Sequence, residues 1–291
     1  MDSSLITPTA AASNQESANE NSKMAISKRA SFLATYRRDQ DFSLPDSIMF
    51  YISQNPTSAK VYQKLIQSCK YFFVQNSVLV ISNCYLKYEY EWRLSFYEEF
   101  LDFKNLSSKI WITDELFVDD SLATVKDFNF SIVSKIYQSD FKKLNLKNQS
   151  ISFDDFIFLA SKCETVWFWE NVTVFHDEDK SVVPLEKIVE LLPKLTHLVY
   201  WGLKMITTKT VKELIKLPNF ANLTEFTLFT VPESFDIETF YDYIKTNKNT
   251  KIYLSFSYGI SGEYKNRLRT IKDEIDQTEN RDYIKPSLLI P

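Results

Sequence analysis

The 291 residues, 44 % hydrophobic and 15 % aromatic, suffice for one large domain or two ordinary ones with a sizeable core. A net charge of −4 with no basic stripe argues against nucleic acid as a partner, and three scattered cysteines (Cys69, Cys84, Cys163) argue against a disulfide framework or a zinc site. Three glycines (Gly202, Gly259, Gly262) cannot build a phosphate-cradling loop, no apolar run approaches the roughly 20 residues of a membrane helix, and the N-terminus lacks a leader pattern, so an intracellular protein, cytoplasmic or nuclear, with reduced thiols is expected.

In chain order, residues 1–40 read as a disordered N-terminal segment. They are rich in Ser, Asn, Ala, Gln and Glu, and residues 1–26 in particular cannot bury enough apolar surface to offset chain entropy. Lys28-Arg29 and Arg37-Arg38 read as solvated linker charges, with a weak targeting signal as the other reading. Residues 41–76 read as a module of two or three short helices. Ser43 or Asp46 can cap the first, with Pro45 near its first turn; Ile48 and Ile52, with Met49 and Phe50, supply its apolar side. Asn55-Pro56-Thr57 ends it, because Pro lacks a donor and disfavours helix in its predecessor. Ser58 starts a second helix, on which Val61, Leu65, Ile66 and Cys69 form one apolar face continued by Phe72 and Phe73.

Residues 77–291 read as an α/β region. Val78–Ile81 and Ile110–Ile112 are β-rich, Phe130–Tyr137 is helical, and Tyr85–Asn105, dense in Tyr, Phe and Glu, has no assignable pattern. From Phe141 an L-x-x-L-x-L repeat aligns Phe141, Leu144, Leu146 with Cys163, Val166, Phe168, then with Leu195, Leu198, Tyr200 and with Leu223, Phe226, Leu228. A fifth register keeps only Ile252 and Leu254. Helical patterns lie between, over Phe153–Lys162, Leu185–Leu192, Thr208–Leu217 and Ile237–Thr246, with Ser152, Pro184 and Asp236 at their starts. Alternation of a short strand with a helix predicts an irregular leucine-rich-repeat-like solenoid with a parallel sheet.

Side chains on a strand alternate between faces. If Val166 and Phe168 point inward, Trp167 and Trp169 point outward, and the same face carries His197, Trp201, Phe229 and Tyr253. Bulky rings on a face that ought to be solvated predict a partner-binding surface. The competing reading is that another segment, such as residues 85–105, covers them.

No constellation of residues carries chemistry. His176 and His197 lack a positioned nucleophile, Cys163 replaces a core Leu of the repeat, and His176-Asp177-Glu178-Asp179-Lys180 lacks the glycine and the distal Glu of a calcium loop. The acidic pairs Asp154-Asp155 and Glu98-Glu99 fit solvated helix faces. No catalytic, metal or cofactor residue is therefore assigned.

Leu44-Pro45-Asp46, then Ile48, Ile52 and Leu65, then Cys69-Lys70 and Phe72-Phe73 resemble a divergent F-box. The whole layout is similar to F-box-like proteins with leucine-rich-type C-terminal regions, a family expanded in nematodes. Gln54-Asn55-Pro56-Thr57 and Tyr62 stand where that family usually keeps a Leu-rich helix start. The resemblance implies a substrate receptor: Leu44, Pro45, Ile48, Ile52 and Leu65 would dock on the linker subunit of a cullin–RING ubiquitin ligase, and the repeat region would hold a target. The alternatives are a general protein-interaction scaffold, whose F-box-like part only caps the solenoid, and a hydrolase whose site assembles from distant residues.

Overall fold

The computed structural model describes residues 30–31, 34–36, 41–88, 92–96, 99–102, 106–119 and 131–291, with backbone alone for 87–88, 92–96, 99–102 and 131–132. The expectations for residues 1–26, and for the two basic pairs, lie outside the described residues. The chain forms two compact units, Met1–Ser77 and Val78–Pro291. Among the described residues no helix is long and apolar enough to cross a membrane.

Among the described residues of the first unit, Ala30, Ser31 and Ala34 are helical, and three helices follow them, α1 (Asp46–Gln54), α2 (Ala59–Ser68) and α3 (Lys70–Gln75). Neither Ser43 nor Asp46 caps α1: Pro45 is the N-cap residue, makes no side-chain bond, and offers its carbonyl to Ile48 N and Met49 N. Ser58 caps α2 by accepting from Val61 N at 3.3 Å. The buried side differs from the one that apolar spacing suggests. Met49, Ser53, Ala59, Tyr62 and Phe72 are buried, whereas Ile48 and Val61 are exposed. The reason is a polar clasp. Tyr62 donates its hydroxyl to Asn76 O, and Asn76 Nδ2 donates to Ser53 O at 3.0 Å, drawing α1, α2 and the end of α3 together on the Tyr62 side.

Among its described residues the second unit is mixed α/β, with a mostly parallel sheet and no closed barrel. Its strands are β1 (Val78–Tyr88), β2 (Trp92–Phe96), β3 (Glu99–Asp102), β4 (Lys109–Asp119), β5 (Ile136–Ser139), β6 (Lys143–Lys147), β7 (Ser150–Ser152), β8 (Thr165–Trp169), β9 (Thr173–Phe175), β10 (His197–Trp201), β11 (Glu225–Val231), β12 (Lys251–Phe256) and β13 (Ser287–Leu289). Helices α4 (Ser131–Lys135), α5 (Phe153–Ala160), α6 (Leu185–Glu190), α7 (Thr210–Leu214), α8 (Pro218–Ala221), α9 (Ile237–Thr246) and α10 (Gly262–Gln277) alternate with them. The main sheet runs β13-β12-β11-β10-β8-β6-β4-β1-β2-β3, with β5 beside β4, and only β2 and β3 are antiparallel to their neighbours. A separate parallel pair joins β7 and β9.

The register follows the sequence alignment. Leu144 pairs with Val166, Val166 with Leu198, Leu198 with Phe226, and Phe226 with Ile252. The inward pair of every one of these strands is at most 4 % exposed. Helices lay their apolar sides on it: Phe156 and Leu159 of α5, Ile188 and Val189 of α6, Phe240 and Ile244 of α9, Leu268 and Ile271 of α10. Ser152 and Asp236 cap α5 and α9 by accepting from Asp155 N (3.2 Å) and Thr239 N (3.1 Å), and Pro184 is the N-cap residue of α6.

Four local expectations change. The sheet extends upstream of Phe141, through β4 to β1, because Leu116 and Val118 carry the same inward pair. A bulge between Ile81 and Asn83 interrupts alternation in β1 and hides its full length from pattern reading. The helix expected over Phe130–Tyr137 stops at Lys135, and Ile136 and Tyr137 join β5, where pairing with β4 overrides local propensity. Thr208–Leu217 yields only α7, and Pro218, which disfavours helix at Leu217, opens α8 as a separate turn.

Gly202 follows Trp201 at the end of β10. A Cβ there would stand 2.6 Å from the hydroxyl of fully buried Tyr200, which accepts from Met205 N at 3.1 Å. Gly202→Ala is therefore expected to lower unfolding free energy by about 1–3 kcal/mol, as overpacking does. Gly262→Ala, which meets open space, should leave it nearly unchanged. Urea denaturation of the two variants makes the comparison.

Candidate partner-binding surfaces

The outward face of the sheet is ordered in three rows set by strand pairing. The first holds Glu115, Lys143, Thr165, His197, Glu225 and Lys251. The middle one holds Phe117, Asn145, Trp167, Val199, Thr227 and Tyr253. The third begins Asp119, Lys147, Trp169 and continues with Trp201 and Phe229.

A ladder at the strand entrances holds these rows level. Thr196 Oγ1 donates to Glu164 O (2.9 Å), and Thr224 Oγ1 donates to Thr196 O (3.0 Å). Glu164 N and Thr165 N share Lys142 O, and Lys251 N reaches Thr224 O. Each entry is thereby tied to the preceding unit by backbone, and three of them by hydroxyl as well, since Thr250 Oγ1 donates to Leu223 O at 2.7 Å.

The rings form one continuous belt. Trp167 meets Trp169 edge-on at 5.9 Å, Trp169 meets Trp201 at 6.3 Å and stacks on Phe229 at 6.3 Å. Trp201 meets Phe229 at 5.4 Å, and Phe229 meets Tyr253 at 5.4 Å. Trp167 (37 %) and Trp201 (36 %) are exposed, while Trp169, Phe229 and Tyr253 are half-buried, largely against one another. Val199 and Thr227 are buried although they face outward; they lie between Trp167 and Tyr253 in the same row. Tyr253 also lines a cavity of 330 Å³ with Ile275, Leu288 and the Lys285–Asp276 ion pair (2.7 Å).

The described strands of residues 85–105, β2 and β3, do not cover the belt: they pair beyond β1 in the plane of the sheet, at the far edge from Tyr253. His197 belongs to the polar row and not to the belt. Its Nδ1 lies 2.9 Å from Thr196 Oγ1 and its Nε2 3.2 Å from Thr224 Oγ1, so the ring is oriented by the hydroxyl ladder. Pattern reading missed Tyr85 and Phe117, an outward pair at 6.2 Å on β1 and β4. Extending the inward pair to Leu116 and Val118 would have found Phe117.

Left-handed residues end these strands: Asn148 after β6, Glu170 and Asn171 after β8, and Thr230 within β11, at φ of 42–56°. Thr230 is the strained case, since a β-branched side chain rarely adopts that conformation. It sits in the register shift between Leu228 and Val231, directly after Phe229. The bulge returns Val231 to the interior and leaves Phe229 facing the belt.

In the helical unit the five residues singled out from sequence divide. Leu44 (46 %), Pro45 and Ile48 (46 %) are exposed, and Ile52 and Leu65 are half-buried. Phe50, Tyr51 and Val61 are exposed as well, which periodicity did not anticipate because the Tyr62 clasp turns a different side inward.

No group of three or more His, Cys, Asp or Glu side chains that could hold a metal ion occurs among the described residues. The loop at His176 is closed on itself: hydrogen bonds from the Ser181 side chain and from Ser181 N (2.9 Å to Asp179 Oδ1) hold the Asp179 carboxyl below the usual range, and Lys180 pairs with Asp177 at 3.3 Å. Burial pushes the Cys163 and Cys84 thiols up to about 12, so neither supplies a thiolate near neutral pH.

No protein-family model matches the chain, and no match to it is found among curated proteins.

The belt predicts an order of stability effects. Trp169 touches three rings and Trp167 touches one of the belt. Trp169→Ala should cost about 2–3 kcal/mol, and Trp167→Ala less than about 1 kcal/mol. Thermal or urea midpoints read the difference, and a reversed order would place Trp167 in the interior.

Proposed function

We propose that this chain is a non-enzymatic protein-recognition adaptor, the substrate receptor of a cullin–RING ubiquitin ligase. In this reading Met1–Ser77 contains an F-box-like docking module. Val78–Pro291 is an irregular leucine-rich-repeat-like solenoid that holds its target on the aromatic face. The observation that carries the binding half is the continuous belt from Trp167 to Tyr253 on a sheet face whose opposite side is already filled by helices. Exposed aromatic clusters of this kind are where interface energy concentrates, often about 2 kcal/mol or more per ring. The solenoid reading is supported by strand–helix units that follow one another in register.

The docking half rests on the F-box resemblance and on the exposure of Leu44, Pro45 and Ile48, which with Phe50 and Tyr51 put apolar surface on a small unit. Substitution there spares the core: Leu44→Asp plus Ile48→Asp should leave the far-ultraviolet circular dichroism unchanged. In a pull-down with purified linker subunit, the wild-type chain should be retained and the double variant weakened by about tenfold or more, the cost of burying unpaired charge in an interface. Undiminished retention of the variant rejects this docking surface. No retention of either protein favours a scaffold without a ligase link.

A further inference from the structure

β13 is the last strand of the main sheet, and among the described residues it pairs with β12 alone. Alternate amides and carbonyls along its other side therefore face no neighbouring strand. The 330 Å³ cavity beside it is lined by Lys285, Pro286, Ser287, Leu288 and Leu289 without a break. Leu288 is buried beside inward-facing Leu254, whereas Ser287 and Leu289 are exposed on the side of Tyr253. The ladder fills the β12 side, so a cavity that meets both faces of β13 runs along its unpaired edge. The opposite wall is one face of α10, where Lys272, Ile275 and Asp276 follow at helical spacing. From Lys285 to Leu289 the groove covers four residue steps, about 13 Å at 3.3 Å each.

The groove is cationic in a chain whose net charge is −4. Lys272 makes no ion pair among the described residues, and Lys285 pairs with Asp276 at 2.7 Å. The bond from the Lys285 ammonium, with Lys272 and Arg281 acting from further off, holds the Asp276 carboxyl below the usual range. Three cations thus bear on the one carboxylate of the lining. We propose that β13 accepts an extended acidic segment of a partner protein as an added strand, seated in the groove between β13 and α10. Main-chain bonds to the free edge hold such a segment whatever its sequence, and its side chains alternate between the two faces. One set meets Lys272 and Lys285 on the α10 side. The other meets Tyr253 and Leu289, which is 56 % exposed, on the outer side. The segment this groove selects therefore alternates acidic and apolar residues over about five positions. A second copy of β13 fits it less well, because Lys285 and Pro286 would bring like charge and a missing donor to the same edge. The site is an edge of the sheet, so it does not depend on the target-binding reading of the aromatic face.

The test is selection of random eight-residue phage-displayed peptides on the full chain, after depletion on the exposed-site variant Lys272→Glu, whose folding is first checked by circular dichroism. Synthesised winners are then measured by fluorescence anisotropy. The expected winners alternate acidic and apolar residues. They should bind Lys272→Glu about fivefold or more weakly, bind Asp276→Asn more tightly, and be indifferent to Trp167→Ala. Methylating the amide nitrogens of alternate peptide residues should weaken binding to the wild-type chain about fivefold or more in one phase of the alternation and little in the other, as a strand bonded along one edge requires. Equal tolerance of both methylation phases overturns strand addition. Winners without acidic residues, or winners that Asp276→Asn weakens, overturn the charge assignment. Winners that need Trp167 belong to the aromatic face, and they or the absence of any winner overturn the groove as a site while leaving the reading of that face untouched.

Discussion

Register is the constraint on which everything else in the second unit depends. Leu144, Val166, Leu198, Phe226 and Ile252 stand side by side in successive parallel strands. Side chains alternate with a period of two, so a slip of one residue would send the inward set to solvent and the tryptophans into the core. Burying a Leu, Val or Phe contributes about 1.5–3 kcal/mol, and ten such residues share this layer. The penalty for a slip therefore far exceeds any gain the outer rings could make by packing elsewhere. The belt is exposed because the inner layer leaves it no other place.

That argument explains why so polar a row sits beside so apolar a one. The strand entrances are tied by Thr196 and Thr224 to carbonyls one unit back, and the side chains nearest them are charged or hydroxylated. Toward the strand exits the chain turns through left-handed residues at Asn148, Glu170, Asn171 and Thr230. A chain with three glycines has to place other residues there, and Asn tolerates the conformation at little cost. Thr230 does not. Its strain, next to Phe229, is stored beside the surface proposed for recognition, and strain of this kind is common at binding sites.

The helical unit makes a complementary point about amphipathicity. Its sequence offers more apolar side chains than three short helices can bury, and a tyrosine decides which are left out. Tyr62 fills the centre and reaches Asn76 O, so Ser53 is buried and Ile48 is not. Counting apolar positions alone would choose Ile48 for the interior. The hydroxyl–carbonyl bond and the asparagine beside it reverse that choice, since a buried polar group must be satisfied where it lies.

The repeat was readable from the chain alone because burial of the L-x-L pair is a local demand with a local signature. From it follow the parallel strands, their order from Phe141 to Leu254, and the side on which Trp167, Trp169 and Trp201 emerge. The upstream strands were less visible, since the bulge at Ile81–Asn83 breaks alternation and the pairing of Ile136 with Ile110 depends on a strand 26 residues away. Gly262–Gln277 and the edge strand at Leu288 were not anticipated. What only the tertiary structure decided is that the rings join into one belt, that two threonines orient the His197 ring in the polar row, and that Val199 and Thr227 are shaded. Those outcomes depend on distances between strands far apart in the chain, and side-chain contact across a sheet leaves no periodic trace in the sequence.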